Sequence, residues 1–266
     1  MKVYSFELKK QFANTLVWMI VLLGVLWLML NGFYPIFLDS KPEIEAMVSA
    51  FPEGFAAAFG FDVDDLFSYE SFSGMVYLYE GILAAIMASG AAIAVFAREK
   101  QSKCVDFIMT KPLRRSEVFA QKLLCCLTVI AAVNIPYLIL FSVDYMKFNN
   151  GNGPTKQMAL SMLCLFFTQL VFLSFGIFAA VILRRIRSAS ALGVGIGMFA
   201  FLLSIVYSLT EKEIFKYISP LYYFSPNAVA EAGSYDIPCV LTAVALTVGL
   251  TAAAYLIYTK ADIAAQ

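Results

Sequence analysis

The sequence predicts an all-α integral membrane protein: six transmembrane helices, both termini cytoplasmic, in a single domain over residues 1–266. Three observations carry that prediction. The chain is 61% hydrophobic and 14% charged, where a soluble domain carries roughly 25% charge. Its apolar residues gather into six long runs near 13–32, 75–97, 123–143, 158–183, 188–209 and 238–258. At 1.5 Å per residue, about twenty residues cross the roughly 30 Å of bilayer hydrocarbon. The basic residues are also unevenly placed. Fourteen of the 19 lie before run 1, between runs 2 and 3, between runs 4 and 5, or after run 6. Basic loops stay on the cytoplasmic side, so that distribution sets the topology.

Before the first span, Tyr4, Leu8 and Phe12 recur every four residues among Lys2, Glu7, Lys9 and Lys10. The spacing predicts an N-terminal interfacial amphipathic helix over Met1–Phe12, lying on the inner surface. It is not a cleaved signal, because the apolar run that follows is too long. Span 1, Ala13–Gly32, holds both tryptophans, Trp18 and Trp27, and can continue to Leu38.

The outer loop 39–74 carries Lys41 against eight acids. Ile44, Met47, Val48 and Phe51 have helical spacing, which predicts one or two short helices on the outer surface. The acids lack the spacing of an EF-hand calcium loop. Span 2 is rich in Gly, Ala and Ser from Gly81 to Ala94, and small residues let helices approach closely in lipid. Glu80 lies in its outer turns, near enough to the interface to reach water. A carboxylate in a span is a candidate translocation residue.

The loop Arg98–Lys122 is the longest charged interruption between apolar spans. It holds Arg98, Lys100, Lys103, Lys111, Arg114, Arg115 and Lys122 against Glu99, Asp106 and Glu117. Cys104, Val105, Ile108 and Met109 fall at helical spacing. Lys111-Pro112 ends that helix, since the residue before proline avoids the α region. Ser116 is suited to cap a new helix running into span 3. A short cytoplasmic helix with an apolar stripe fits a groove on another protein, or it lies on the membrane.

Span 3 contains Asn134 and Pro136, and the proline invites a kink. The polar turn 144–157 leads to span 4, with Gln169 near its middle. Asn134 and Gln169 are candidates for the translocation path or for helix packing, as buried amides bond across helices. Arg184-Arg185-Ile186-Arg187 connects to span 5, where Gly193 and Gly197 form a G-x-x-x-G pair. The run Ile218–Pro226 is aromatic and proline-rich, as in an outer aromatic belt or a re-entrant turn. Span 6 has Ala245, Gly249 and Ala253 at small-residue spacing.

The chemistry that is missing narrows the function. The chain has no histidine, no phosphate-binding G-x-x-x-x-G-K-[ST] loop and no metal-ligand cluster. The five cysteines are scattered and read as small buried residues. No span repeats ionisable residues as a proton relay or voltage sensor does. Active transport by this chain therefore needs energy from elsewhere, and the surface able to receive it is the Arg98–Lys122 loop, aided by the N-terminal helix and Arg184–Arg187.

That loop carries a resemblance. Glu99, then Asp106-Phe107-Ile108-Met109-Thr110-Lys111-Pro112-Leu113-Arg114-Arg115-Ser116-Glu117-Val118 and Lys122, resembles the ATP-binding-cassette type-2 (ABC-2) permease family. Ser102 stands where the family often has glycine. The Ile218–Phe224 run and the closing Tyr258-Thr259-Lys260-Ala261-Asp262 are similar too, with Ala261 departing from the usual basic residue. The resemblance implies a multi-pass permease subunit of an exporter in the bacterial cytoplasmic membrane. It implies a separate ABC ATP-binding subunit that holds ATP and Mg²⁺, no cofactor on this chain itself, and a second permease copy or paralogue. It marks Glu99, Asp106, Ile108, Pro112 and Arg115 as coupling residues. The other expected partner is membrane lipid; nucleic acid is not expected. The residues alone leave two other readings open: a self-contained channel or secondary carrier, and a membrane scaffold or sensor.

Overall fold

The computed structural model describes residues 2–50, 66–98, 100, 114–210 and 212–260. Among these residues every regular element is helical. The elements are α1 (Lys2–Trp27), a π-helical segment (Leu28–Phe33), α2 (Tyr34–Asp39), α3 (Lys41–Ser49), α4 (Tyr69–Phe96), α5 (Arg115–Phe148), α6 (Lys156–Ile182), α7 (Ala189–Thr210), α8 (Glu213–Ile218), α9 (Pro226–Ala232) and α10 (Ile237–Lys260). Six stretches are long and apolar enough to cross a membrane: residues 3–39 and helices α4, α5, α6, α7 and α10.

Helix α4 is the axle of the bundle. It packs against α1, α5, α6, α7 and α9, and most extensively against α6 and α7. Both contacts depend on glycine. A Cβ at Gly176 of α6 would stand 2.5 Å from the Ser89 carbonyl oxygen of α4. A Cβ at Gly193 of α7 would stand 2.9 Å from the Gly90 Cα, and one at Gly197 would stand 2.5 Å from Ile86 Cγ1. The G-x-x-x-G pair of span 5 is thus consumed within the chain, packing α7 on α4. Gly249 of α10 has no atom within that range, so the small-residue stripe of span 6 lacks such an intimate partner here.

Several boundaries differ from those the sequence predicts. Residues 2–12 do not form a separate surface helix. They are the first turns of α1, which continues unbroken into the span because no proline or glycine interrupts it before Gly24. Tyr4 and Leu8 pack on the core as the spacing predicts, but Glu7 and Gln11 share that buried face while Phe12 is exposed. Helix α4 starts at Tyr69, six residues before the predicted span, because Ser68 caps it and accepts a 3.1 Å bond from the Ser71 amide. Ser116 is not the cap of α5. Arg114 holds that position with no side-chain bond, and Ser116 lies inside the first turn. Helix α5 runs through Pro136 without interruption. In the outer loop α3 is helical, and residues 51–65 lie outside the described set.

At the end away from the basic loop, the connection from α7 to α10 turns back into the bundle. Ser219, Leu221, Tyr223 and Phe224 are buried, and α9 packs on α4 and α6. Gly74 of α4 makes room for it, since a Cβ there would collide with the Asn227 side chain. The Lys216 ammonium donates to Asp236 at 2.6 Å across the mouth of this turn. That bond holds the Asp236 carboxyl below its ordinary value and raises Lys216 above its own. The aromatic and proline-rich run therefore folds back as a turn packed against the bundle.

Gly176→Ala is expected to destabilise the protein by about 1–3 kcal/mol, since overpacking a tight contact must push α4 and α6 apart. Gly249→Ala, facing open space, is expected to stay within about 0.5 kcal/mol. Thermal denaturation in detergent, followed by gel filtration, checks both. Equal losses at the two sites would overturn the close α4–α6 approach.

Candidate coupling site

The residues flanking the basic loop are built into the end of the bundle. Three helices, α4, α6 and α10, finish at that end. A finishing helix leaves carbonyl groups without intrahelical partners and a partial negative charge. Basic residues at the stems of one loop meet all three. Lys100 Nζ donates to the carbonyls of Ala180, Val181 and Leu183 at the end of α6, at 2.9, 2.8 and 3.0 Å. Lys122 Nζ donates to Val95 at the end of α4, at 2.9 Å. Arg115 approaches the Thr259 carbonyl at the end of α10, at 3.5 Å.

The starting helices are tied to the same stems. Gln121 Oε1 accepts bonds from the Val3 and Tyr4 amides in the first turn of α1, each 3.2 Å. The Tyr4 hydroxyl pairs with the Thr128 hydroxyl of α5 at 3.2 Å. Arg98, just past α4, donates to the Glu7 carboxylate at 2.8 Å. Glu7 is 2% exposed. A carboxylate taken so far out of water needs a cationic partner, and Arg98 supplies it.

Packing around these charges is aromatic. Phe96, Phe119 and Tyr258, from α4, α5 and α10, form a three-way cluster with ring centroids 5.0–6.4 Å apart. The fully buried Lys122 reaches past the Phe96 ring, with its ammonium 5.7 Å from the centroid. Its stem is covered by apolar surface while its charge meets a carbonyl and a π face.

Of the five coupling residues implied by the resemblance, Arg115 is placed in this network. Glu99, Asp106, Ile108 and Pro112 lie outside the described residues. Glu80, Asn134 and Gln169 are elsewhere, in the interior between α4, α5 and α6. Asn134 Nδ2 donates to the Ile130 carbonyl and to Gln169 Oε1, joining α5 to α6. Beside them Tyr77 of α4 and Thr168 of α6 share a 2.8 Å bond. Glu80 does not reach water at the interface. It has no exposed surface, because α4 is enclosed on several sides at this level, and neither of its oxygens has a hydrogen-bond partner among the described residues. Among the described residues no group of His, Cys, Asp or Glu could hold a metal ion. Cys125, Cys126, Cys164 and Cys239 are buried free thiols.

The sequence reading missed Glu7, Gln121 and the capping role of Lys100. One signal was available: Glu7 is the only acid among the three lysines of the N-terminal segment, on the same helical face as Tyr4, Leu8 and Gln11.

In comparison with known proteins, a family model described as "ABC-2 family transporter protein" matches residues 1–263. No curated protein and no solved structure matches.

Glu7→Gln is expected to cost about 1–3 kcal/mol of stability, because it removes a charge-assisted bond from a buried site. Combined with Arg98→Met, the loss should be smaller than the sum of the single losses, as for partners in direct contact. Additive losses in a thermal-denaturation double-mutant cycle would show that the two side chains do not interact.

Proposed function

The chain belongs to the ABC-2 transporter family, and from that premise we propose that it is the permease subunit of an ATP-driven exporter. A separate ATP-binding subunit carries ATP and Mg²⁺ and supplies the energy. Two permease copies, or this chain and a paralogue, enclose the path, and the basic end of the bundle faces the cytoplasm. The loop between α4 and α5 is the coupling element, with Glu99, Asp106, Ile108, Pro112 and Arg115 meeting the ATPase.

The observation that carries this reading is the capping network. A push delivered at residues 99–113 enters through stems bonded to the ends of α4, α6 and α10, and to the start of α1. Cations at helix C-termini contribute typically 0.3–1 kcal/mol each, and up to about 2 kcal/mol when partly buried. Several such bonds acting together transmit displacement without detaching. The loop can then move helix ends as a set, which is what alternating access requires of a protein with no energy source of its own. The glycine contacts of α7 with α4 leave a smooth surface along which α7 shifts.

The test is co-purification. The tagged chain is co-expressed with the ATPase encoded beside it, and the ATPase is expected to be retained. Ile108→Asp combined with Arg115→Glu is expected to lower the retained ATPase tenfold or more, a loss of about 1.4 kcal/mol. Arg115→Glu alone, read by gel filtration, checks that losing the Thr259 contact leaves the bundle folded. Absence of the ATPase from the parent, or full retention by the folded double variant, would overturn the assignment.

A further inference from the structure

A cleft of about 440 Å³ runs along α4 between α1 and α7. Its floor is Leu83, Ile86, Gly90 and Ala94 of α4, spaced three and four residues apart on one helical face, and Arg98 just past the helix end. From Leu83 to Arg98 that floor is about 22 Å long at 1.5 Å per residue. One leaflet has about the same depth: half of a hydrocarbon core of roughly 30 Å, plus one headgroup layer.

The two ends of the cleft differ in chemistry. At the basic end stand Lys10, Asn14 and Ser190 beside Arg98. Lys10 and Asn14 are exposed, and Arg98 shares its guanidinium with Glu7, so Lys10 supplies the net charge. Helix α7 begins here, capped by Ser188, which accepts a 3.2 Å bond from the Ala191 amide. Its starting turn adds partial positive charge. The exposed Arg184, Arg185 and Arg187 immediately precede it. Further along, the walls are Trp18 and Val194 over Leu83 and Ile86. The polar groups are thus all at one end and the apolar groups at the other.

We propose that this cleft is a binding site for an acidic phospholipid of the leaflet on the basic side. The headgroup phosphate meets Lys10, Asn14 and the start of α7, and one acyl chain lies along Trp18, Ile86 and Val194. Charge complementarity selects an anionic lipid over a zwitterionic one, and the length of the cleft selects a single-leaflet amphiphile. The site depends only on the chain spanning a membrane, so it stands or falls separately from the ATPase assignment.

Trp18 is a built-in probe. A Trp27→Phe variant leaves it as the single tryptophan. This variant is reconstituted into phosphatidylcholine vesicles containing an equal minor fraction of either brominated phosphatidylglycerol or brominated phosphatidylcholine. Bromine quenches tryptophan on contact. The expected result is a preference for the acidic lipid at Trp18 of roughly fivefold, the contribution of one lysine near an anionic surface. Lys10→Gln should bring that preference close to unity while quenching by brominated phosphatidylcholine persists. The reciprocal Trp18→Phe variant, reporting from Trp27, should show no preference. Equal quenching at Trp18 by both lipids, the same preference at Trp27, or a preference that survives Lys10→Gln would each overturn the proposal. So would a Trp18 that neither lipid quenches, since protein, such as a second copy of the chain, would then cover the cleft.

Discussion

Helix C-termini must find donors for their last carbonyls, and the rest of this structure depends on how that is met. Each of the three helices that finish at the basic end offers last carbonyls with no intrahelical partner. The chain answers all three from the stems of one loop, through Lys100, Arg115 and Lys122. Spreading the caps over separate local residues would satisfy the carbonyls equally well. Concentrating them does more, because it makes the position of one loop a condition for three helix ends. The basic residues of the loop's stems therefore cap three helices at once.

The interior follows a different rule. Around α4 the helices touch backbone to backbone at Gly176 and Gly193, and backbone to side chain at Gly197. Contacts of this kind gain dispersion energy from close approach without interlocking large side chains. The polar residues at mid-height act as pins instead: Asn134 with Gln169, and Tyr77 with Thr168. In a low-dielectric interior, such bonds fix the register of α4, α5 and α6 more sharply than apolar packing does. The bundle thus combines a pinned centre of three helices with α7 lying on smooth glycine contacts. Most of α1, α7 and α10 is left apolar and exposed, as a lipid-facing perimeter should be.

Much of this was legible in the sequence, and the parts that were not share a cause. The six spans, the small-residue character of span 2 and the candidacy of Asn134 and Gln169 for bonds between helices follow from apolar run length and from the scarcity of polar residues in lipid. So does the basic loop. Those are one-dimensional features. The burial of Glu7 and Gln11 depends on what faces the first turns of α1, and a four-residue period of Tyr4, Leu8 and Phe12 fits a membrane surface as well as a bundle. The burial of Glu80 was hidden for the same reason: distance along a span gives depth, and says nothing about which neighbours enclose it. Ser116 has the composition of a cap, but the extended backbone falls at Arg114, two residues earlier. The role of Gly193 and Gly197 was ambiguous because the same motif serves contacts within and between chains.

Arg98 lies just past the end of α4, faces Glu7 of α1, and forms the charged limit of the cleft beside α7. Glu7 is the anion that the fold itself provides for it, so in the proposed lipid site the phosphate is met by Lys10, Asn14 and the start of α7 rather than by Arg98. Because Arg98 also opens the loop whose stems hold three helix ends, the cleft and the loop share one side chain and are not independent features of the bundle.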